Sequence, residues 1–293
     1  MSNINEQKFA FISGIATGIG RELAISLAKR GYKVYGCALE GSLWESNDLL
    51  TEYGITVLVC DITKIEEVQK LATIIGEKTN GKLDILYNNA GIARGGPAIE
   101  MPEQEIEDLF KVNVIGHMYV TKYMAPFVIK AKGRIVFTSS VAARAPLSWM
   151  SAYGATKAAI DQYALVLHGE MKPLGVRVHS VITGGVDTGI CDSIATNTIR
   201  GPYYDVDAVY DSLRASAQMS RNVNISAQEY AEQVTKQVLA YWDPGFNIYR
   251  GARAYFLHFL SRFLPLWLAE FGIAFHFRQL KVWSQIRKKL KKE

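Results

Sequence analysis

Short apolar runs alternate with amphipathic stretches through the first two thirds of the chain. The apolar runs have the length of buried strands and are followed by stretches with helical periodicity. The runs lie at residues 9–13, 33–37, 56–60, 85–88, 134–139 and 177–182, and the helical stretches at 20–30, 65–78, 103–130 and 153–171. Repeated strand–helix units predict an α/β fold with a doubly wound parallel sheet, whose ligand crevice lies beyond the carboxyl ends of the strands.

The last third departs from this pattern. From about 188 to 226 the periodicity is lost, and we expect this segment to cover a substrate. A helix is predicted at 227–242, after which Asp243-Pro244-Gly245 breaks the chain. We therefore expect a catalytic domain over 1–245 and a separate C-terminal extension of amphipathic helices over 246–293.

Composition places the chain among globular proteins that keep their cysteines reduced. It has 293 residues, of which 49% are hydrophobic and 21% charged, enough to bury a large core. Cys37, Cys60 and Cys191 have neither disulfide-framework nor CxxC spacing, so we expect a reducing compartment and no metal. The polar first eight residues lead directly into a strand-like run and predict no signal peptide.

The charge is concentrated in the extension. Residues 250–293 carry ten Lys/Arg and two Glu, a net charge of +8, against +5 for the whole chain. The same segment is rich in Phe, Leu and Trp, which favours an anionic membrane surface over nucleic acid. Charged residues at 253, 262, 270 and 278 interrupt the apolar runs, which predicts insertion in one leaflet and no spanning helix. The alternative is that these aromatic residues pack on the catalytic domain or form a dimer interface.

A glycine-rich turn follows the first predicted strand. Gly14, Gly18 and Gly20 precede a helical stretch, an arrangement that lets the backbone turn tightly and brings free amides to a pyrophosphate. The turn predicts a dinucleotide site in a Rossmann fold. An ordinary tight turn is the alternative.

A second group of polar residues has the composition of an acid–base site. Tyr153 and Lys157 lie four residues apart on a predicted helix and share a face. An ammonium group beside a phenol is expected to lower the phenol pKa, which would let Tyr153 exchange a proton with a carbonyl oxygen. Ser140 lies thirteen residues before Tyr153, and Asn113 lies twenty-seven before Ser140. A surface helix with a chance Tyr-Lys pair is the alternative.

These motifs, with the Asn-Asn-Ala-Gly turn at 88–91, resemble the short-chain dehydrogenase/reductase family. The resemblance implies a catalytic set of Asn113, Ser140, Tyr153 and Lys157, with the spacing favouring Ser140 over Ser139. It implies that 183–188 caps the nicotinamide, although Thr183 stands where proline is usual. The residues expected at the cofactor are Gly14, Thr17, Gly18, Ile19, Gly20, Leu39, Glu40, Asp61, Ile62, Asn88, Ala90, Gly91, Tyr153, Lys157, Gly184, Val186 and Thr188. Helix capping is the alternative for Asp61, and support of the sheet is an equal role for the 88–91 turn.

The residues after the second predicted strand leave the choice of cofactor open. NADP-dependent members of the family usually have a basic residue there, whereas this chain has Leu39. Glu40 could accept a hydrogen bond from the ribose 2′-hydroxyl of NAD and would repel a 2′-phosphate. Thr17 and Arg21 could still contact that phosphate. The resemblance implies NADP(H), while Leu39 and Glu40 allow NAD(H).

The resemblance extends to one group of family members over nearly the whole chain. Runs at 81–91, 129–133, 170–173, 182–186 and 249–251, with the apolar basic extension, are similar to fungal NADPH-dependent reductases of acyl ketone phosphates. This implies a lipid-like ketone substrate and the cytosolic face of the endoplasmic reticulum or of lipid droplets. It also allows a homodimer through helix 153–171.

Two alternatives to this function remain open. One is a broad carbonyl, hydroxysteroid or retinoid reductase of the same family, and the other is a catalytically silent membrane-bound nucleotide sensor. A lipid ester hydrolase is excluded because the chain has no Gly-x-Ser-x-Gly. An anionic substrate needs cations near the crevice, although each candidate could equally be a solvated surface residue. The candidates are Arg94, Arg144, Arg200, Arg214 and Arg221.

Overall fold

The computed structural model describes residues 7–195, 201–221 and 225–291, with the backbone alone described at 193, 195 and 219–221. Within these residues seven parallel strands form one sheet in the order β3-β2-β1-β4-β5-β6-β7. The strands are β1 Lys8–Ser13, β2 Tyr32–Ala38, β3 Thr56–Val59, β4 Ile85–Asn88, β5 Arg134–Ser140, β6 Arg177–Thr183 and β7 Asn247–Arg250.

Helices cover both faces of the sheet, and a π-helical turn, Lys111–Gly116, joins two of them. The helices are α1 Gly18–Ala28, α2 Asn47–Tyr53, α3 Ile65–Lys78, α4 Glu103–Phe110, α5 His117–Ala131, α6 Ser151–Met171, α7 Asp192–Ala195, α8 Asp207–Arg221, α9 Ala227–Val238, α10 Ala254–Phe263, α11 Leu266–His276 and α12 Gln279–Leu290.

Adjacent strand residues divide the core into two layers. Phe11 and Phe137 pack on one face with α3, α5 and α6. Ile12 and Val136, one position away in the same strands, pack on the other face with α1 and α9. Side chains alternate across a strand, so a sheet covered on both sides needs nearly continuous apolar strands. The chain reverses its direction of winding at β1, which pairs with both β2 and β4, and a ligand crevice is expected at this point.

The predicted fold class is confirmed, and all six predicted strands are present with ends shifted by at most one or two residues. Two expectations differ from the structure. β7 lies just beyond the predicted boundary at 245 and completes the sheet beside β6. The segment expected to be irregular contains α8, whose Val209 and Leu213 are buried. The division at 245 stays a prediction, but the sheet continues past it.

The C-terminal extension makes three helices with different environments. α12 packs on α8 through Val282, which is buried. α10 contacts the sheet edge through Ala254 and Leu257. The helices α10 and α11 together leave a large aromatic surface exposed. The packing alternative therefore holds for α12 and for part of α10, while insertion of the exposed face into a membrane stays a prediction. No helix within 7–195, 201–221 and 225–291 is long and apolar enough to cross a membrane.

Candidate active site

The glycine-rich turn lies at the carboxyl end of β1. At Gly14 and Gly20 the neighbouring backbone leaves no room for a side chain. Gly14 has φ +72°, and a Cβ there would lie 2.8 Å from the Ala90 Cα. A Cβ at Gly20 would lie 2.0 Å from the Gly14 carbonyl oxygen. Gly18 begins α1, whose first turn has no acidic residue. This arrangement leaves a helix N-terminus without a competing negative charge and fits a dinucleotide pyrophosphate.

Ser13 holds the glycine-rich turn against the 88–91 turn. Its Oγ accepts hydrogen bonds from the backbone N–H groups of Asn89 at 3.0 Å and Ala90 at 3.1 Å. The Asn89 side-chain amide donates to the Gly14 carbonyl at 3.2 Å. Sequence reasoning missed Ser13, although a serine that ends a buried strand before a glycine turn is a signal for this role. Asn88 is buried below and donates to Thr121 Oγ1 at 3.0 Å, which is a structural contact.

Tyr153, Lys157 and Ser140 come together at the carboxyl end of β5. The Ser140 hydroxyl accepts from the Ala142 N–H at 3.1 Å and lies near enough to the Tyr153 hydroxyl to affect its pKa. Lys157 Nζ donates to the Thr138 carbonyl at 2.9 Å and lies 5.7 Å from the centroid of the Tyr153 ring. Ser139, the competing serine, has its Oγ buried away from this group with no partner among the described residues. The geometry supports the choice of Ser140.

Burial dominates the ionisation of this group. It raises the pKa of Tyr153 above its ordinary value, and the nearby Ser140 hydroxyl opposes the shift only in part. Burial also lowers the pKa of Lys157 to about 8. The expected lowering of the Tyr153 pKa by Lys157 is not found: burial raises this pKa, and the Lys157 ammonium is turned toward the Thr138 carbonyl. Tyr153 keeps its proton at neutral pH.

Asn113 lies in the π-helical turn that joins α4 and α5, a distortion often found at functional sites. Its amide nitrogen donates to the Ile92 carbonyl, and its amide oxygen accepts from the Ile92 N–H, each at 2.9 Å. It also donates to Thr156 Oγ1 at 3.1 Å. Asn113 thus connects the segment after β4 to the helix that carries Tyr153. Nearby His117 was missed from the sequence; its Nε2 lies 2.7 Å from the Ala90 carbonyl, and burial and the Lys157 charge lower its pKa to about 3.

The segment 183–188 continues from β6 and closes the crevice opposite the glycine-rich turn. A Cβ at Gly18 would lie 3.7 Å from the methyl carbon of Thr188. Gly184 N–H donates to the Arg250 carbonyl at 2.9 Å, and a Cβ there would lie 2.2 Å from the Ala252 carbonyl. Val186 is buried. The segment is thus fixed by the turn that follows β7.

The residues expected at the adenosine end of the cofactor do not form one group. Leu39 and Glu40 are exposed after β2. Asp61 Oδ1 accepts from the Thr63 N–H at 3.0 Å and from its hydroxyl at 2.7 Å, a turn contact before α3, whose N-cap is Lys64. Ile62 is buried against Gly116. Thr17 is the N-cap residue of α1, and its side chain makes no cap hydrogen bond.

The candidate cations differ in whether an acidic side chain pairs with them. Arg144 lies 2.7 Å from Asp161, and Arg214 is exposed and lies 3.3 Å from Asp211. Arg94 donates to the Ala93 carbonyl at 3.0 Å, and no ion pair of Arg94 is found among the described residues. Arg200 lies outside the described residues, as does the side chain of Arg221. Arg21, another basic residue near the turn, is held by Asp48.

Apolar side chains pack around the Tyr153 ring. The ring belongs to a buried cluster that includes residues from the segment after β4, from α8 and from α12. Its members include Ala93, Met150, Ile194, Val209, Leu213 and Val282. A long apolar substituent would find few polar groups here.

The doubly wound sheet and its glycine-lined crevice define a dinucleotide-binding protein of the Rossmann class. The family model described as short chain dehydrogenase matches residues 8–198, and the chain belongs to this family. It is an NAD(P)-dependent oxidoreductase. The catalytic and cofactor-binding roles of the individual residues stay predictions, to which the geometry lends support.

Relatives and solved structures agree with this family. The chain is 37% identical to an NADPH-dependent 1-acyldihydroxyacetone phosphate reductase of Saccharomyces cerevisiae, with 99% of each chain covered. A protein of the same name from Schizosaccharomyces pombe is 31% identical, with 80% of this chain and 79% of the other covered. A short-chain dehydrogenase from Streptomyces avermitilis has the same fold, with a TM-score of 0.74, 23% identity and 97% and 98% of the two chains covered. Nothing in these comparisons supports a silent nucleotide sensor.

Proposed function

We propose that the protein uses NADPH to reduce a membrane-dissolved acyl ketone phosphate, 1-acyldihydroxyacetone phosphate, to 1-acylglycerol 3-phosphate. The observation that carries the proposal is the 37% identity to a reductase of this name along 99% of both chains, extension included. The apolar cluster beside Tyr153 suits an acyl chain. Leu39 is exposed, and with leucine at this position we expect the enzyme to prefer NADPH over NADH less strongly than it would with arginine.

The site residues divide the acid–base work. Bound NADPH would supply a hydride to the carbonyl carbon, and Tyr153 would give its proton to the carbonyl oxygen. The raised pKa of Tyr153 keeps that proton in place at neutral pH, as an acid needs for reduction. Ser140, whose hydroxyl lies near that of Tyr153, would orient the same oxygen. We assign Lys157 to binding the nicotinamide ribose and Asn113 to the proton relay.

Arg94 is the residue we assign to the substrate phosphate. It follows the 88–91 turn closely and contributes a guanidinium without an acidic partner in the described part of the chain. Arg144 is neutralised by Asp161. A guanidinium free of carboxylates can bind a phosphate through paired hydrogen bonds.

The exposed face of α10 and α11 supports a location on a membrane or lipid-droplet surface, at the cytosolic side. Large apolar residues cover both helices on the outer side, and contiguous exposed patches of this kind mark interaction sites. They are Tyr255, Phe256, Phe259, Phe263, Leu266, Trp267, Phe271 and Phe275. Basic residues in α12 add attraction to anionic lipids. Pairing of two copies through α6 stays a prediction.

The experiment is NADPH oxidation measured with an acyl ketone phosphate, its dephosphorylated analogue, a steroid ketone and a simple ketone. We expect the highest kcat/KM with the acyl ketone phosphate. Tyr153→Phe should lose about 10²-fold or more in kcat with unchanged NADPH affinity, whereas Tyr163→Phe on the same helix should not.

Arg94→Gln tests the phosphate contact. It should raise KM for the acyl ketone phosphate and leave the dephosphorylated analogue unaffected, while exposed Arg214→Gln changes neither. A steroid ketone or simple ketone as the best substrate would favour a broad carbonyl reductase instead.

A further inference from the structure

A polar cleft lies between α10, β7 and the turn that follows β5. Its volume is about 570 Å³, enough for a phosphate with part of a glycerol. Three of its lining residues have basic side chains, namely Arg144, His258 and Arg262, and none of the lining residues is a carboxylate. The lining residues are Arg144, Asn247, Tyr249, His258, Ser261 and Arg262.

A chain of hydrogen bonds links Arg144, Tyr249 and His258 along the cleft. Arg144 Nη1 donates to the Tyr249 hydroxyl oxygen at 2.8 Å, and this oxygen lies 3.2 Å from His258 Nε2. A hydroxyl that accepts from Arg144 still has its own hydrogen to donate, so Tyr249 supports the tautomer in which Nε2 accepts and Nδ1 carries the ring hydrogen. His258 Nδ1 is buried with no hydrogen-bond partner among the described residues. A buried donor without an acceptor is unfavourable, so an acceptor oxygen would stabilise it.

The charge of the cleft is positive. Arg144 is balanced by Asp161, which also accepts from Ser180. Arg262 is exposed, and it has no ion pair within the described ranges. One positive charge therefore remains uncompensated where the neutral imidazole offers its N–H.

The cleft opens beside the apolar face. At about 100° per residue of helix, Arg262 falls between His258 on one side and Tyr255 and Phe259 on the other. Ala254 and Leu257 point into the protein. The Tyr249 ring lies 4.5 Å from the His258 ring and 5.6 Å from the exposed Tyr255 ring, centroid to centroid. A molecule in the cleft can thus have its polar end on the bases and its apolar end along α10.

We propose that this cleft binds the phosphate group of a membrane phospholipid and so orients α10 and α11 on the bilayer. The proposal rests on the proposed membrane location and adds a defined headgroup site to it, apart from Tyr153 and the substrate. Arg262 and His258 contact the phosphate oxygens, while the acyl chains follow Tyr255 and Phe259.

The first test is flotation of the full-length protein with phosphatidylcholine vesicles, with and without phosphatidic acid. Arg262→Gln should weaken binding to the phosphatidic acid vesicles by about tenfold or more, the size of a lost charge-assisted contact. Arg253→Gln, which removes the same charge from an exposed residue at the start of α10, should weaken it by no more than about fivefold through the surface potential. Equal losses for the two variants would overturn the site and leave only general electrostatics.

The second test follows the His258 imidazole by NMR, assigned with His258→Gln. Burial and the charges of Arg144 and Arg262 lower the pKa of His258, so a bound anion should raise it. Dihexanoyl phosphatidic acid should produce this shift at far lower concentration than inorganic phosphate. An equal response to both would contradict a lipid site.

The two proposals fail in distinguishable ways. A wild-type protein that floats with neither vesicle would overturn the headgroup site and the membrane location together. NADPH oxidation with a soluble ketone would still report on the reductase. This activity should be unchanged in Arg262→Gln, whose exposed side chain lies outside the catalytic group, and it shows that the variant is folded.

Discussion

The hydroxyl oxygens of Thr183 and Tyr230 lie 2.6 Å apart in a hydrogen bond between β6 and α9. Both side chains are buried. Thr183 begins the segment 183–188, which is predicted to cap the nicotinamide, and it stands where the resemblance to the family leads us to expect proline. A proline restricts the backbone by itself, whereas this threonine is restricted by its bond to Tyr230.

The bond predicts coupling between the two residues. Tyr230→Phe and Thr183→Val should each lower kcat/KM by about fivefold, the value of one buried hydrogen bond. The double variant should lose little more than either single one, because both remove the same bond. Steady-state kinetics of the four proteins measure this coupling, and additive losses would mean that the bond does not support the segment.

Buried Lys157 predicts a pH-dependent stability. Its pKa is lowered from 10.5 to about 8 by burial, so below about pH 8 the folded protein holds an unfavourable ammonium. Between about 8 and 10.5 the unfolded chain binds more protons than the folded one, and stability from this group rises with pH. Lys157→Met should therefore be more stable than wild type near pH 7, and the difference should narrow above pH 8. Urea unfolding across this range tests it, and a constant difference would contradict it.

The position after β2 predicts a change in cofactor preference. Leu39 is 57% exposed, so an arginine fits there without disturbing the core. Leu39→Arg should shift the ratio of kcat/KM toward NADPH by roughly 1–3 kcal/mol, the value of a charge-assisted hydrogen bond. Leu50→Arg, at a leucine 59% exposed on α2, is the matched control and should not change the ratio. An unchanged ratio for Leu39→Arg would place the 2′-phosphate elsewhere.

Packing of α12 on α8 predicts that the extension influences substrate binding. Gln285 Oε1 accepts from the Ala208 N–H at 2.9 Å, a side-chain cap on α8 supplied by another helix. The Ser212 hydroxyl in α8 donates to the Phe277 carbonyl at 2.5 Å.

Gln285→Ala should loosen α8 and raise KM for a long acyl substrate several-fold, with unchanged NADPH affinity. Ser284→Ala, at the exposed neighbouring position, should change neither. Kinetics with short and long acyl chains separate the effects, since a merely destabilised protein would lose activity with both. Equal KM values for Gln285→Ala and wild type would exclude the role.

Local patterns sufficed for six of the seven strands in the described sheet and for the composition of the site. Six strands were predictable because a parallel strand covered on both faces must be apolar along its length, as 9–13 and 134–139 are. The glycine spacing was readable because only glycine fits where Gly14 meets Ala90. The spacing of Asn113, Ser140, Tyr153 and Lys157 identified a group that the fold brings together.

Other features depend on contacts between residues far apart in the chain. β7 is too short to be recognised alone and is a strand because β6 offers it an edge. The ionisation of Tyr153 and Lys157 follows from their burial, which one-dimensional spacing does not contain. The extension reads as one apolar basic segment, and only its contacts with α8 and β7 divide it into a packed helix and an exposed face. Sequence patterns determine which residues must be buried or free to turn, whereas loss of water and the choice of partner are decided by the whole fold.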